Sequence, residues 1–239
     1  MTTRIKDHLQ FSPSGKLERL SLASYPNLLH TWDQDVDLNG KRFCPAGWDE
    51  CFPTIDPYKA SPVMGELIGW PPEINWQPDA VEQVWRHERY EAKRRFELQT
   101  PTCLHMSFIV TNLQDTPLEF LWASHALFDV QALTAVELSN GETMTHFEMD
   151  GRVSKRFIAN TSPIVLTYAD FCARLSSDQA WWGIWLNQGG WPANDRHKLR
   201  CLGLEATNTP GEIPDGQSLN PGQTFVGSIK IEVYSRSAS

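Results

Sequence analysis

Residues 102–113 read TCLHMSFIVTNL, and Leu104, Met106, Phe108 and Val110 occupy alternate positions. A period of two places all four on one face of an extended chain, the pattern of a strand with one side in a core. The other face carries His105, Ser107, Ile109 and Thr111 and is only half polar. The turn-forming run NLQDTP (112–117) follows, and LEFLWASHALF (118–128) resumes an apolar, strand-like pattern. This order predicts a hairpin.

Working outward, further strand candidates are KLERLSLA (16–23), NLLHTWD (27–33), EQVWRHERYE (82–91) and RRFELQ (94–99). Later ones are ETMTHFEM (142–149), PIVLTYA (163–169), WWGIWLN (181–187), KLRCLGLEA (198–206) and FVGSIKIEVY (225–234). Between them lie Gly, Pro, Asn and Asp clusters such as PTIDPYKASP, GWPPEINWQPD and TNTPGEIPDG. Many short strands divided by such loops predict an all-β antiparallel sandwich or barrel rather than alternating βαβ units. Helix is expected for at most a turn or two, within DFCARLSSDQAW (170–181). No linker composition and no internal repeat interrupt the chain, so residues 1–239 are expected to form a single domain.

Composition narrows the function. The 239 residues are 41% hydrophobic and 21% charged, enough for a sizeable core and too balanced for disorder. No apolar run approaches the roughly 18 residues of a membrane-spanning helix. The first twenty residues lack the apolar stretch of a secretory signal, so the expected location is the cytoplasm. A net charge of −8 argues against a nucleic-acid partner. The 5 Cys are an odd count without Cys-x-x-Cys, which reads as reduced, mostly buried thiols and no metal site. The 10 Trp are assigned chiefly to core and loop packing, although aromatic faces also suit sugar rings. GxGxxG, P-loop, HExxH and GxSxG motifs are all missing from the sequence, and no cofactor is expected. The stretch from Arg86 to Glu97 interleaves both charge signs and reads as a solvated strand edge.

Three segments stand apart: GWDECFPTIDP (47–57), SHALF (124–128) and GLEATNTPGE (203–212). On the residues alone, His125 reads first as a hydrogen-bonded structural histidine, and Glu205 as a strand-end carboxylate in solvent.

Taken in order with MGEL (64–67), LWASHALFDV (121–130), WLNQGGWP (185–192), LGLEATNTPGE (202–212) and LNPGQ (219–223), these segments resemble the galactose mutarotase-like, or aldose 1-epimerase-like, superfamily. The resemblance runs from Gly47 to Val233. It implies a large antiparallel β-sandwich, the mutarotase-like supersandwich, whose concave face holds a monosaccharide. It also implies anomer interconversion by acid/base ring opening, which needs one base and one acid and no metal or redox cofactor. By the same resemblance, Glu205 is the base and His125 the acid. Trp48, Glu50, Met64, Glu66, Arg86 and Trp185 are then the substrate-binding residues. Met64-Gly65 stands where relatives often carry His-Gly, and a thioether donates no hydrogen bond. His87 and His105 are the histidines available to compensate. The alternative is a non-catalytic carbohydrate-binding protein on the same fold; a different lyase or isomerase is a third reading, since fold does not fix function. A phosphorylated sugar would call for converging cations, for which Arg86, Arg89 and Lys155 are available.

Overall fold

The computed structural model describes residues 4–38, 41–59, 61–192 and 198–236. In chain order its strands are β1 (Leu9–Phe11), β2 (Leu17–Leu20), β3 (Val36–Leu38), β4 (Lys41–Phe43), β5 (Trp48–Cys51), β6 (Glu73–Trp76) and β7 (Ala80–Arg86). There follow β8 (Tyr90–Thr100), β9 (Cys103–Asn112), β10 (Leu118–Glu119), β11 (Ala123–Asp129), β12 (Leu133–Glu137), β13 (Thr143–Met144) and β14 (Arg152–Ala159). The last are β15 (Ile164–Tyr168), β16 (Phe171–Ser177), β17 (Trp181–Gln188), β18 (Arg200–Thr207), β19 (Ser218–Leu219) and β20 (Thr224–Ser235). Among the described residues the only helical element is a 3-10 turn at Ile5–Asp7, and no helix is long and apolar enough to cross a membrane.

Two antiparallel sheets form a sandwich. The larger has nine strands in the order β13-β12-β15-β16-β20-β9-β8-β7-β6, and the other has seven in the order β1-β2-β5-β11-β18-β17-β14. Leu104, Met106, Phe108 and Val110 are fully buried, as their alternation requires. Burying each contributes roughly 1.5–3 kcal/mol. Trp48 and Trp182 from the seven-stranded sheet, and Trp122 just before β11, fill the interior. All five cysteines are free, four of them buried.

Several local expectations are corrected. The run after β9 does not fold back as a hairpin: β9 pairs with β8 and β20, while β11 lies in the other sheet between β5 and β18. Residues 123–129 are largely buried on both sides, which suits a strand covered on both faces rather than a hairpin arm. The candidate 82–91 spans a tight turn, with the His87 N–H donating to the Tyr90 carbonyl at 2.9 Å, so it divides between β7 and β8. Residues 171–177, read as a possible helical turn, form β16, with Phe171, Ala173 and Leu175 buried at period two. Residues 27–33 stay irregular apart from one bridge, Leu29 to Phe128, and 142–149 contracts to β13.

The charged stretch from Arg86 to Glu97 is not an edge. It runs through β8, inside the nine-stranded sheet, where Ala92, Arg94 and Phe96 turn inward. Arg94 is 1% exposed and spans the sandwich: it donates to the Gly15 carbonyl at 2.7 Å, Gln83 Oε1 at 2.8 Å, and Glu50 Oε1 and the Trp48 carbonyl at 3.2 Å each.

Candidate functional site

The register of the seven-stranded sheet assembles the site. His125 on β11 lies opposite Asp49 on β5 and opposite Glu205 on β18. Glu205 is opposite Gly183 on β17, and Gly183 is opposite Phe157 on β14. Directly paired residues share a face, so this row faces one way. The next row on that face is Leu127, Gly203, Trp185 and Lys155. Two glycines make room for it. A Cβ on Gly203 would sit 3.2 Å from the side chains of Leu127 and Trp185; one on Gly183 would sit 3.2 Å from Glu205 Oε2 and from the Phe157 ring.

Over this face lies a cavity of about 400 Å³. Asp49, His125, Lys155 and Trp185 form its floor, and Phe43 at the end of β4 with loop residues Ile55, Met64 and Ile68 contributes an apolar wall. Lys16, Asp56, Trp191 and Glu212 also line it. The loops are tied together: the Glu212 carbonyl accepts from the Ile55 and Asp56 N–H groups at 3.1 and 2.9 Å and from Thr54 Oγ1 at 3.1 Å. Lys41 Nζ donates to the Met64 carbonyl at 2.8 Å and to the Gly65 carbonyl, which holds that part of the wall in place.

Charge is concentrated at the floor. Lys155 Nζ is 3.1 Å from Glu205 Oε2 and 3.1 Å from Glu212 Oε1. His125 Nε2 is 3.4 Å from Glu205 Oε1, and Lys16 Nζ is 3.0 Å from Asp49 Oδ2. Burial alone would push the Glu205 carboxyl up, but the Lys155 ammonium and His125 outweigh it and hold it below its ordinary value. Burial, helped by Lys155, pushes His125 below 6.5 against the pull of Glu205. Burial disfavours the charged form of Lys155, yet Glu205 and Glu212 raise its pKa overall. The Lys155 ammonium thus favours the ionised form of Glu205, and burial favours the neutral form of His125. Among the described residues, no three His, Cys, Asp or Glu side chains are grouped to hold a metal ion.

His125, Met64 and Trp185 line the cavity as expected from the sequence. Glu205 is next to them but differs from expectation: its side chain is 0% exposed, whereas those of His125 and Lys155 are 24% and 20% exposed. It lies beneath these two groups rather than in a solvent-facing strand end. Trp48 and Glu50 are on the wrong face. Along β5 the side chains alternate, so Asp49 and Cys51 meet the cavity while their neighbours enter the core. There Trp48 Nε1 donates to Ser124 Oγ at 2.7 Å, and Glu50 accepts from Trp122 Nε1 at 2.8 Å and Ser124 Oγ at 3.0 Å. Glu66 lies off the cavity, accepting from Arg89 at 2.7 Å and the Tyr90 hydroxyl at 2.9 Å. Arg86 is exposed on the nine-stranded sheet, paired with Glu73 and Glu91. Neither His87 nor His105 compensates for Met64: among the described residues, His125 is the one histidine that lines the cavity.

Sequence reasoning names Lys155 only as one of three cations available to a phosphorylated sugar, and it misses Asp49, Lys16 and Glu212. The signal for Asp49 was the phase of WDEC, where bulky Trp48 marks the core side. Lys155 lies in RVSKRFIA, a segment too charged to be read as a strand.

No protein-family model matches this sequence, and no curated protein does. Solved structures do. A galactose mutarotase-like protein from Lactobacillus casei aligns at a TM-score of 0.68 and 15% identity, covering 94% of this chain and 96% of that one. A galactose mutarotase related enzyme from Lactobacillus acidophilus aligns at 0.64 and 12% identity, covering 93% and 92%. An aldose epimerase homologue from C. elegans aligns at 0.60 and 11% identity, covering 93% and 94%. Two antiparallel sheets in this arrangement, matched over nearly the whole of each chain, give this protein the galactose mutarotase-like fold.

Proposed function

We propose that the cavity binds a monosaccharide and that the protein interconverts its anomers, as an aldose 1-epimerase-like isomerase. The observation that carries this reading is the cavity-lining His125 with its Nε2 3.4 Å from the buried carboxylate of Glu205 on the same sheet face. Ring opening removes the proton of the C1 hydroxyl, breaks the bond from C1 to the ring oxygen and protonates that oxygen. The open aldehyde rotates and recloses. Glu205 Oε1, 3.4 Å from Nε2, favours the tautomer protonated on Nε2; His125 Nδ1 then keeps a lone pair and takes the hydroxyl proton, and Glu205 stabilises the imidazolium that forms. This reverses the order expected from sequence: Glu205, without an exposed surface, acts through its neighbours rather than as the base in contact with sugar.

The remaining surface suits a sugar ring. Trp185 and Trp191, edge to face with ring centroids 5.7 Å apart, offer faces for ring C–H groups. Asp49, fixed by Lys16, offers acceptor oxygens to hydroxyls. Both cavity lysines are already paired with carboxylates, which favours an unphosphorylated sugar. A second reading, carbohydrate binding without turnover, is favoured by the complete burial of Glu205. Polarimetry and NMR exchange on a panel of aldoses and aldose phosphates separate the two. Accelerated equilibration of a neutral aldose, lost in His125→Ala, is the outcome expected. Saturable binding without acceleration would replace isomerase by binder.

A further inference from the structure

Anomer interconversion needs a second proton carrier in contact with the sugar, and Glu205 is sealed beneath the floor. The residue that separates Glu205 from the cavity on its other side is Lys155. It projects from the edge strand β14 opposite Trp185, lines the cavity, and retains a 20% exposed side chain although it holds Glu205 and Glu212 at 3.1 Å each. Building on the isomerase reading above, we propose that Lys155 is the catalytic acid, delivering the proton to the ring oxygen while Glu205 serves as the counter-ion shared by Lys155 and His125.

The step balances. The hydroxyl O–H bond at C1 breaks, its proton goes to His125, and its electron pair forms the aldehyde C=O. The bond between C1 and the ring oxygen breaks with its pair on that oxygen, which takes a proton from Lys155 Nζ. After rotation, the same oxygen adds to the other face of C1 and returns its proton to the lysine amine. The aldehyde oxygen is reprotonated by His125, and both side chains are restored.

The geometry fits this exchange better than a purely structural ion pair. Before ring opening the cation beside Glu205 is Lys155; after it, the cation is His125. Glu205 Oε2 is 3.1 Å from the first and Oε1 is 3.4 Å from the second, so one buried negative charge faces one positive charge at every stage. No charge separation develops in the low-dielectric floor, where it would be expensive. The other charged groups near Lys155 are Glu212 and, beside it at the rim, Asp56. Glu212 holds the ammonium in place from the loop side, while the centroid of the Phe157 ring lies 5.7 Å from Nζ on its own strand.

Lys155→Arg and Lys155→Met test this on an aldose that the wild type equilibrates, read by NMR exchange spectroscopy, ligand-observed binding and titration of the His125 ring. Arginine keeps the positive charge, but its delocalised guanidinium does not give up a proton in proteins, whereas an ammonium can pass one to the developing alkoxide. Lys155→Arg is therefore expected to bind the sugar and leave the His125 titration near that of wild type, with exchange reduced about a hundredfold or more. In Lys155→Met, exchange is lost and the His125 pKa rises, because the neighbouring cation is gone while Glu205 remains. In Lys155→Ala, which leaves the space of the lysine side chain empty, added ethylamine should restore part of the exchange, a check that does not depend on arginine fitting the site. Wild-type exchange in Lys155→Arg, or failure of ethylamine to restore any exchange in Lys155→Ala, would overturn the acid role and leave the isomerase reading standing. A wild type that binds aldoses without equilibrating them would overturn both.

Discussion

Arg94→Met should destabilise the protein strongly, and more at high pH than at low pH. Arg94 is the cation buried against Glu50 between the two sheets, with both side chains 1% exposed. Burial raises the Glu50 carboxyl from 4.5 to about 7, even though Arg94, Trp122 and Ser124 pull it down. A carboxyl raised on folding binds its proton more tightly in the folded state. The stability this contributes is full below 4.5 and is lost as pH rises through about 7. At about 1.4 kcal/mol for each tenfold in proton affinity, the effect is of order 3 kcal/mol in the wild type. Removing Arg94 raises the Glu50 pKa further and leaves its charge uncompensated, a change that typically costs about 3–5 kcal/mol. Urea unfolding of wild type and variant at pH 8 and pH 5 measures this. The loss at pH 8 should be in that range and shrink at pH 5, where protonated Glu50 needs no partner; what remains is the lost hydrogen bonds to Gly15, Gln83 and Trp48. An equal loss at both pH values, or under about 1 kcal/mol at pH 8, would refute the account of a buried charge pair.

Gly183→Ala places a methyl group 3.2 Å from Glu205 Oε2 and the Phe157 ring, so it should cost about 1–3 kcal/mol in urea unfolding and slow anomer exchange by displacing the carboxylate. Met64→His adds a donor to an otherwise apolar wall; one hydrogen bond at about 0.5–1.5 kcal/mol predicts roughly two- to tenfold tighter binding of a hexose over its deoxy analogue in paired titrations. Exchange should fall on acidification through a pH below 6.5, because protonating His125 removes the lone pair that accepts the sugar proton; an acid limb above 6.5 would point to another group. Far-UV circular dichroism should show a β-dominated spectrum, against a globular average of about one third helix.

The sheet faces were legible where chemistry and alternation agree, as in Leu104 to Val110, whose four apolar side chains all turn inward. Pairing partners were not, because a run such as LWASHALF is equally strand-like in either sheet, and only packing of the whole chain places it between β5 and β18. His125 was found because a polar residue interrupts an apolar strand. Trp48 and Glu50 follow from the resemblance, which does not say which way a side chain faces; in WDEC the bulky Trp48 marks the core side and sets Asp49 toward the cavity. Arg94 looked like surface charge because its partner, Glu50, is 44 residues away along the chain. Lys155 was hidden for a related reason, since β14 is an edge strand whose outward residues are charged and mask its alternation.

That edge position has a kinetic side. Among the strands β14 pairs with β17 alone, whereas β18, which carries Glu205, is embedded between β17 and β11. Edge segments open locally at a lower free energy than the sheet as a whole. Detachment of β14 withdraws Lys155 from Glu205 while the rest of the seven-stranded sheet remains paired. The carboxylate is then left to water or to a proton. The amides of residues 152–159 should accordingly exchange with deuterium faster than those of 200–207. Mild denaturant should silence the site before it melts the sandwich.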